Sequence, residues 1–239
     1  MTQLAVAGEV CAAFPGLRID AVVADGFSGL APWPEVEERL SALEADVAAG
    51  KPIPAGPDDP HIASWHAAYR AFGTNPKRQR PSVEALRRRL ARTGRLPRIN
   101  PAVDCYNFVS AASGVPAGAF DLRRVSGDIT VRFADGSESF TPLGEPETAE
   151  NPRPGEVVYT DAAGVLTRHW NHRDADRTKV TEASDRIVFL LETVEESAFG
   201  AAVEAAAVQL ATLLYSRSDA AAVYPITPDN PVAVFEIAG

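Results

Sequence analysis

The sequence of 239 residues contains only two cysteines, Cys11 and Cys105, which lie far apart and outside any C-x-x-C pattern. Such spacing does not indicate a disulfide framework or a cysteine zinc site, and we expect a cytoplasmic location. No apolar run is expected to reach the roughly 18–20 residues of a membrane span. The first 14 residues lack a basic flank and include Glu9, unlike a secretion signal. We therefore expect a soluble protein without a membrane partner.

Familiar catalytic motifs are also missing. The chain has no G-x-S-x-G elbow, no G-x-x-x-x-G-K-[ST] loop, no G-x-G-x-x-G and no H-E-x-x-H. His169 and His172 precede Asp174 and Asp176, but histidines three apart on a strand would point to opposite faces, so no metal is predicted. Cys105 has no histidine at a spacing that suggests a catalytic pair, and we interpret it as a core residue. We predict no cofactor.

The composition that remains is ordinary for a globular protein, with 46% hydrophobic and 23% charged residues. The net charge of −9 argues against nucleic-acid binding. However, residues 70–98 hold ten basic residues and one acidic residue, a balance of +9 that leaves −18 for the rest of the chain. This segment is typical of a surface that contacts phosphate groups, and the alternative is a solvated helix face that contacts the protein's own acids. The candidate phosphate contacts are Lys77, Arg78, Arg80, Arg87, Arg88 and Arg92.

Hydrophobic periodicity predicts an α+β fold with a mixed, largely antiparallel sheet and packed helices. We expect helices over 32–50, 62–72, 82–93, 101–112 and 198–215, and a loop over 51–60. In the third helix, Val83, Leu86 and Leu90 should face inward and the arginines outward. The predicted strands are 17–24, 128–133, 138–141, 156–160, 165–170, 187–194 and 232–237, with 128–133 and 138–141 forming one hairpin and 156–160 and 165–170 another.

The end of the 165–170 strand is a candidate ligand surface. Arg168, Trp170 and His172 alternate there and should share one face, on which Trp170 stacks an adenine or an aromatic amino acid. The alternative is that Trp170 fills the core while the neighbouring charges reach solvent. Further polar contacts are expected from Asn171, Thr178 and Lys179.

The most distinctive stretch is 99–122, INPAVDCYNFVSAASGVPAGAFDL. Asn100 can cap a helix that begins at Pro101, and Asp104 and Asn107 lie on one face of that helix. Their simplest roles are capping and loop anchoring. The pattern N-P-x-V-D-x-x-N followed by P-x-x-A-F-D-L resembles the B3/B4 domain, the editing module of the bacterial phenylalanyl-tRNA synthetase β subunit. The matching residues are Asn100, Pro101, Val103, Asp104, Asn107, Pro116, Ala119, Phe120, Asp121 and Leu122.

The resemblance covers roughly residues 98–194 and implies a free-standing protein that hydrolyses the ester of a mischarged aminoacyl-tRNA in trans. Such hydrolysis needs a positioned water and polarisation of the ester carbonyl. On this interpretation Asn107, Thr178 and Lys179 are catalytic, and the basic segment contacts tRNA. The substrate-binding residues would be Tyr106, Gly118, Arg168, Trp170 and Asn171.

Two departures from the synthetase pattern favour an alternative. The histidine inside the synthetase P-x-H-A-F-D is Gly118 here. No acid aligns with the glutamate of the synthetases' glycine-rich segment, although Asp174, Asp176 and Glu182 are near that position. The alternative is a non-catalytic module that binds tRNA, an amino acid or a nucleotide. A third interpretation is a subunit-contact protein with a vestigial pocket. We expect one domain, with an N-terminal part (1–97), the B3/B4-like module (98–195) and a C-terminal helix and strand (196–239).

Overall fold

The computed structural model describes residues 2–51 and 58–236. Most of the loop predicted over 51–60 lies outside the described residues. Within them the helices are α1 (Gly8–Ala13), α2 (Pro34–Ala48), α3 (Pro60–Ala71), α4 (Ser82–Thr93), α5 (Pro101–Ser113) and α6 (Glu196–Leu214). The strands are β1 (Thr2–Val6), β2 (Arg18–Asp25), β3 (Ala117–Asp121), β4 (Ile129–Phe133), β5 (Val157–Asp161), β6 (Gly164–Arg168), β7 (Arg173–Asp174), β8 (Arg186–Thr193), β9 (Ala220–Ile226) and β10 (Val232–Phe235).

The strands form two sheets, in the orders β10-β1-β4-β5-β6-β7 and β3-β8-β2-β9. All neighbours are antiparallel except β1 and β4, which run parallel. The predicted α+β class with a mixed, largely antiparallel sheet is therefore confirmed. The four-stranded sheet is the middle layer, with the six-stranded sheet on one face and α2, α4, α5 and α6 on the other.

Strand β8 shows how the sequence builds these layers, because all eight of its residues are buried. Ile187 and Phe189 belong to the core beneath the helices, whereas Val188 and Leu190 belong to the core between the two sheets. A strand that alternates faces in this way buries apolar side chains on both sides. The same alternation directs Glu192 toward the six-stranded sheet.

One of the two predicted hairpins is wrong. Strand β4 pairs with β5 and β1 and not with the 138–141 segment. Within that segment Phe140 forms an isolated bridge with Glu150, and Pro142, one residue after it, forms another with Ala175. The other hairpin, β5 with β6, is confirmed, but β6 ends at Arg168 rather than at Trp170. Periodicity did not predict β1, β3 or β9, whose pairing partners are distant in sequence.

Helix α6 corrects the expectation that no segment is long and apolar enough for a membrane span. Its 19 residues have a mean hydropathy of 1.5 and meet that test by length and composition. In the fold, however, Val203, Leu210 and Leu214 are buried in the core beneath the four-stranded sheet. The core helix of a soluble protein passes the same test.

Candidate functional site

A cavity of about 440 Å³ opens where α4 and α5 meet β3, β8 and the turn after β6. Asn107 and Tyr106 line it from α5, and Arg89 and Arg92 line it from α4. The other lining residues are Ser82, Ala85, Leu86, Pro97, Ser110, Ala117, Gly118, Phe120, Tyr159, Thr167, Trp170, Asn171, His172, Asp174, Leu190 and Glu192. Elements distant in sequence therefore converge on one concave site, the usual form of a small-ligand pocket.

Local interactions set the position of α5 at this cavity. The Asn100 side chain caps the helix by accepting a hydrogen bond from the Val103 amide (3.0 Å), and Asp104 accepts one from the Ile99 amide (2.8 Å). Capping and loop anchoring therefore account for Asn100 and Asp104. Asn107 lies one turn later and is half-buried, and no hydrogen bond joins its side chain to another described residue. Its amide is available to a ligand.

The turn His169–His172 departs from the predicted strand. His169 and Trp170 have φ angles of 49° and 66°, a left-handed conformation that costs non-glycine residues free energy and is concentrated at functional sites. Arg168 and Trp170 therefore do not share a face. Arg168 instead donates to Glu156 from Nε (3.0 Å) and from a terminal nitrogen (2.9 Å), outside this cavity.

Trp170 is a core residue that also forms part of the cavity wall. Its side chain is fully buried and makes edge contacts with the rings of Phe14 and Trp65, at centroid distances of 4.9 and 5.3 Å. This burial and these ring contacts are those of the core alternative, whereas stacking of an adenine or an aromatic amino acid on Trp170 stays a prediction. Its indole nitrogen donates to Glu192 (3.1 Å).

Glu192 is buried and lines the cavity, and three side chains donate hydrogen bonds to its carboxylate. Tyr159 and Trp170 donate to Oε1, and Asn171 donates to Oε2 (3.0 Å) while accepting from Tyr69 (2.7 Å). Burial raises the pKa of Glu192 to about 7 despite these donors, and the charge of Asp174 adds to the increase. The site therefore holds a carboxyl that titrates near neutral pH.

Asp174 and His172 are half-buried and also line the cavity. Thr167 donates to one oxygen of Asp174 (2.7 Å), and burial raises the pKa of Asp174 to about 6. His172 Nδ1 lies 2.8 Å from the carbonyl oxygen of Arg80, which can only accept, so Nδ1 carries the hydrogen. Because burial lowers the pKa of His172, Nε2 is an unprotonated acceptor at neutral pH.

The sequence-predicted catalytic residues do not come together. Asn107 lines the cavity with Tyr106, Gly118, Trp170 and Asn171, but Thr178, Lys179 and Arg168 do not line it. Thr178 is buried beside β3, where its carbonyl accepts from the Asp121 amide (3.0 Å). Lys179 is ion-paired with Asp176 (2.9 Å). Arg168, Thr178 and Lys179 were grouped with the site because they are close to Trp170 in sequence, but in the fold they lie outside the cavity lining.

The basic segment divides into paired and unpaired residues. Four of its ten cations form ion pairs with residues that the structure describes: Arg80, Arg87, Arg88 and Arg98. The prediction that Arg87 faces outward is wrong, because it is buried and donates to the Ala111 carbonyl (3.1 Å) at the end of α5. Leu86, expected in the core, is half-buried and lines the cavity. Among the described residues, no ion pair involves Lys77, Arg78, Arg89 or Arg92.

Sequence reasoning missed Glu192, and it considered Asp174 as a metal ligand and as an acid near the position of the synthetases' glutamate, but not as a base. Glu192 could have been found because it is an acidic residue within the apolar run of β8. A charged side chain in a strand that is buried on both faces needs hydrogen-bond or charge partners. Asp174 carries no comparable signal, since its burial depends on the packing of β7 against β6. Among the described residues, no group of three His, Cys, Asp or Glu side chains is arranged to hold a metal ion.

Comparison with known proteins identifies relatives of this chain. It is 28% identical over 162 residues to the phenylalanine–tRNA ligase beta subunit of Corynebacterium jeikeium, a match that covers 65% of this chain and 18% of that subunit. It is 34% identical over 133 residues to the corresponding subunit of Chromobacterium violaceum, covering 53% of this chain and 17% of that subunit. The matched region thus spans less than a fifth of either relative.

A solved structure was also found. An N-terminal fragment of the phenylalanyl-tRNA synthetase beta subunit from Pyrococcus horikoshii is 15% identical, with a TM-score of 0.45 over 90% of this chain and 48% of that one. The family model described as the B3/4 domain matches residues 64–217, well over half of the chain. The protein therefore belongs to the B3/4 domain family.

Proposed function

We propose that this B3/4 protein hydrolyses the ester bond of a mischarged aminoacyl-tRNA in trans. The observation that carries the proposal is the combination of groups on one cavity. The half-buried Asp174 has a pKa raised to about 6, and Asn107 offers an amide that no described residue engages. Arg89 and Arg92 lie on the same cavity without ion pairs to described residues. The cavity thus combines a proton acceptor (Asp174), a hydrogen-bond donor for an oxyanion (Asn107) and cations for phosphate groups (Arg89 and Arg92).

The proposed chemistry needs no covalent nucleophile. Asp174 accepts a proton from a bound water as the water oxygen attacks the ester carbonyl carbon. The Asn107 amide donates to the carbonyl oxygen as negative charge develops on it. The bond to the ribose oxygen then breaks, and the terminal adenosine hydroxyl receives the proton. A base whose pKa lies close to the working pH is effective in this role, as the raised pKa of Asp174 would allow.

The relatives support a tRNA ligand. Both are beta subunits of a phenylalanine–tRNA ligase, and the matched region is the part that they share with this chain. A cavity of about 440 Å³ can accommodate an aminoacyl group, while the arginines of α4 would contact the phosphates of the acceptor end. The cytoplasm, where aminoacyl-tRNA is found, is the expected location.

A non-catalytic binding module is the second candidate, and the environment of Glu192 favours it. Both oxygens of Glu192 already accept hydrogen bonds from Tyr159, Trp170 and Asn171, so this carboxyl holds the cavity wall in place and is engaged by protein donors. At Gly118 a Cβ would meet no atom within 4 Å, so the space beside it is open. This module would bind the aminoacyl end of tRNA and leave the ester intact.

The deciding experiment incubates the protein with a panel of mischarged tRNAs and measures loss of the ester, with tRNA binding measured separately. Under the proposal, at least one aminoacyl-tRNA loses its amino acid faster than in buffer, and the Asp174→Asn variant loses this acceleration while binding tRNA normally. A folded protein that binds these tRNAs and deacylates none of them would reject hydrolysis in favour of the binding module.

A further inference from the structure

A second cavity, of about 370 Å³, is lined by His169, the first residue of the His169–His172 turn. The loop that follows α3 forms one wall, with Thr74, Arg78 and Gln79, and Arg153 and His169 form part of the other. No described residue lines both cavities. We propose that this second cavity binds a phosphate group.

The charges around the second cavity favour an anion. Three arginines and one glutamate line it, which gives a formal balance of +2. Arg168 is ion-paired with Glu156, through two hydrogen bonds of 3.0 and 2.9 Å, and with Glu150 (2.5 Å), so it adds no excess positive charge. Arg78 and Arg153 are exposed and form no ion pair with any described residue. The excess charge therefore belongs to two unpaired guanidinium groups, whose planar donors suit phosphate oxygens.

The remaining polar groups of the cavity are neutral. Burial lowers the pKa of His169 to about 4, so its ring is uncharged at neutral pH, and its Nδ1 lies 2.8 Å from the Thr74 hydroxyl. The backbone amides of Thr74, Arg78 and Gln79 all donate to carbonyl oxygens within the loop or α3. An anion would thus be held by side chains, principally by Arg78 and Arg153.

The site is built against a fixed wall. Glu156 is buried and accepts hydrogen bonds from Arg168, from the His169 amide (3.0 Å) and from the Arg153 amide (3.3 Å). One buried carboxylate therefore positions the backbone of Arg153 and the first residue of the strained turn. Both oxygens of Glu156 accept hydrogen bonds from protein donors. These donors offset its negative charge and so reduce its repulsion of an anion in the cavity.

The test measures binding of inorganic phosphate by ¹H–¹⁵N NMR titration at constant ionic strength. We expect saturable shifts at residues 73–79 and 153 in the wild-type protein. The Arg78→Gln/Arg153→Gln double variant should bind phosphate at least tenfold more weakly. The matched control is Arg70→Gln/Arg95→Gln, which removes the same charge from two exposed arginines that do not line the cavity and should leave the affinity within twofold. Unchanged melting temperatures would show that both variants are folded.

Two further arms identify the source of the phosphate. If a nucleic-acid strand supplies it, a short RNA oligonucleotide should bind more tightly than inorganic phosphate and lose that advantage in the cavity variant. If a mononucleotide supplies it, adenosine monophosphate should match or exceed the oligonucleotide. Either result supports the site. The absence of saturable phosphate shifts, or equal weakening in the cavity and control variants, would overturn it. Neither result depends on ester hydrolysis, so this proposal and the proposed function can fail separately.

Discussion

The indole nitrogen of Trp170 donates a hydrogen bond of 3.1 Å to Glu192, which joins the strained turn after β6 to the buried strand β8. Asn171, the next residue of the turn, donates to the other oxygen of the same carboxylate. A single buried acid therefore holds two consecutive residues that also form the cavity wall. Core stability and cavity shape depend on the same contacts, so a change at either residue should affect both.

The first prediction concerns Trp170. Replacing it with Ala removes a fully buried indole, and such truncations cost about 3–5 kcal/mol of unfolding free energy. Trp170→Phe keeps most of the apolar contacts with Phe14 and Trp65 but removes one donor to Glu192, a loss of about 1–3 kcal/mol. Urea unfolding of both variants measures these losses. An unchanged free energy of unfolding for Trp170→Ala would contradict the core assignment.

The second prediction concerns pH. Burial raises the pKa of Glu192 from 4.5 to about 7, so between these values the folded protein retains a proton that the unfolded chain has released. Stability contributed by this group is therefore lost as pH rises through that window. The unfolding free energy of the Glu192→Gln variant, measured relative to that of wild type, should therefore increase by about 2 kcal/mol as the pH is raised from 5 to 8.

The measurement is the difference in unfolding free energy between the two proteins at each pH. His61, which is buried, and the half-buried His169 and His172 have pKa values that burial lowers. They contribute in the opposite direction but equally to both proteins, so they cancel in the difference. A difference that does not change with pH would mean that Glu192 does not titrate in this range.

The helices were predictable because their signals are local. Helix α4 has its predicted bounds, since Val83 and Leu90 repeat on one face and Gly94 ends the helix with a φ of 69°. The failed hairpin shows the limit of such signals. Gly136 does adopt a positive φ of 94°, but β4 pairs with β5 because that strand supplies the buried residues Val157 and Tyr159. A turn motif does not determine which strand becomes the partner.

The part of the site on α5 was predictable because a motif marked it. Asn107 follows from the pattern around α5, and it lines the cavity. Arg87 illustrates the opposite case, because helical periodicity places it off the apolar face, yet the C-terminal carbonyls of α5 and Asp59 lie over that position. The packing of a second helix is a tertiary property, and periodicity along one helix cannot report it.

The third prediction concerns the basic surface of the first cavity. Arg89 and Arg92 are exposed and unpaired among the described residues, so replacing both with Gln should weaken tRNA binding without loss of stability. Each phosphate contact removed should reduce the slope of log affinity against log salt by about 1. The Arg70→Gln/Arg95→Gln variant is again the charge-matched control. Equal effects of the two double variants would indicate a general electrostatic attraction and not a contact at the cavity.

The last prediction concerns the proposed hydrolysis. Asp174→Asn preserves the shape of the side chain and its hydrogen bond from Thr167 but removes the proton acceptor, so deacylation should slow by roughly 10²–10⁴-fold. Asn107→Ala removes a donor to the developing oxyanion, and a loss of roughly 10²–10³-fold is expected, with little change in tRNA affinity. Lys179→Ala, at a residue that is ion-paired with Asp176 and does not line the cavity, is the control and should retain activity.

These variants also separate the two acceptors on the cavity wall. Single-turnover deacylation with His172→Gln tests the alternative base, because Nε2 of His172 is unprotonated at neutral pH. If Asp174 is the base, the wild-type rate, after subtraction of the uncatalysed rate, should rise with pH through about 6 as its carboxyl ionises. Asp174→Asn should abolish this rise, and His172→Gln should retain it. If His172→Gln lowers the deacylation rate more than Asp174→Asn does, the base is His172. The reason is that removing the group that accepts the proton from water should slow the attack on the ester most.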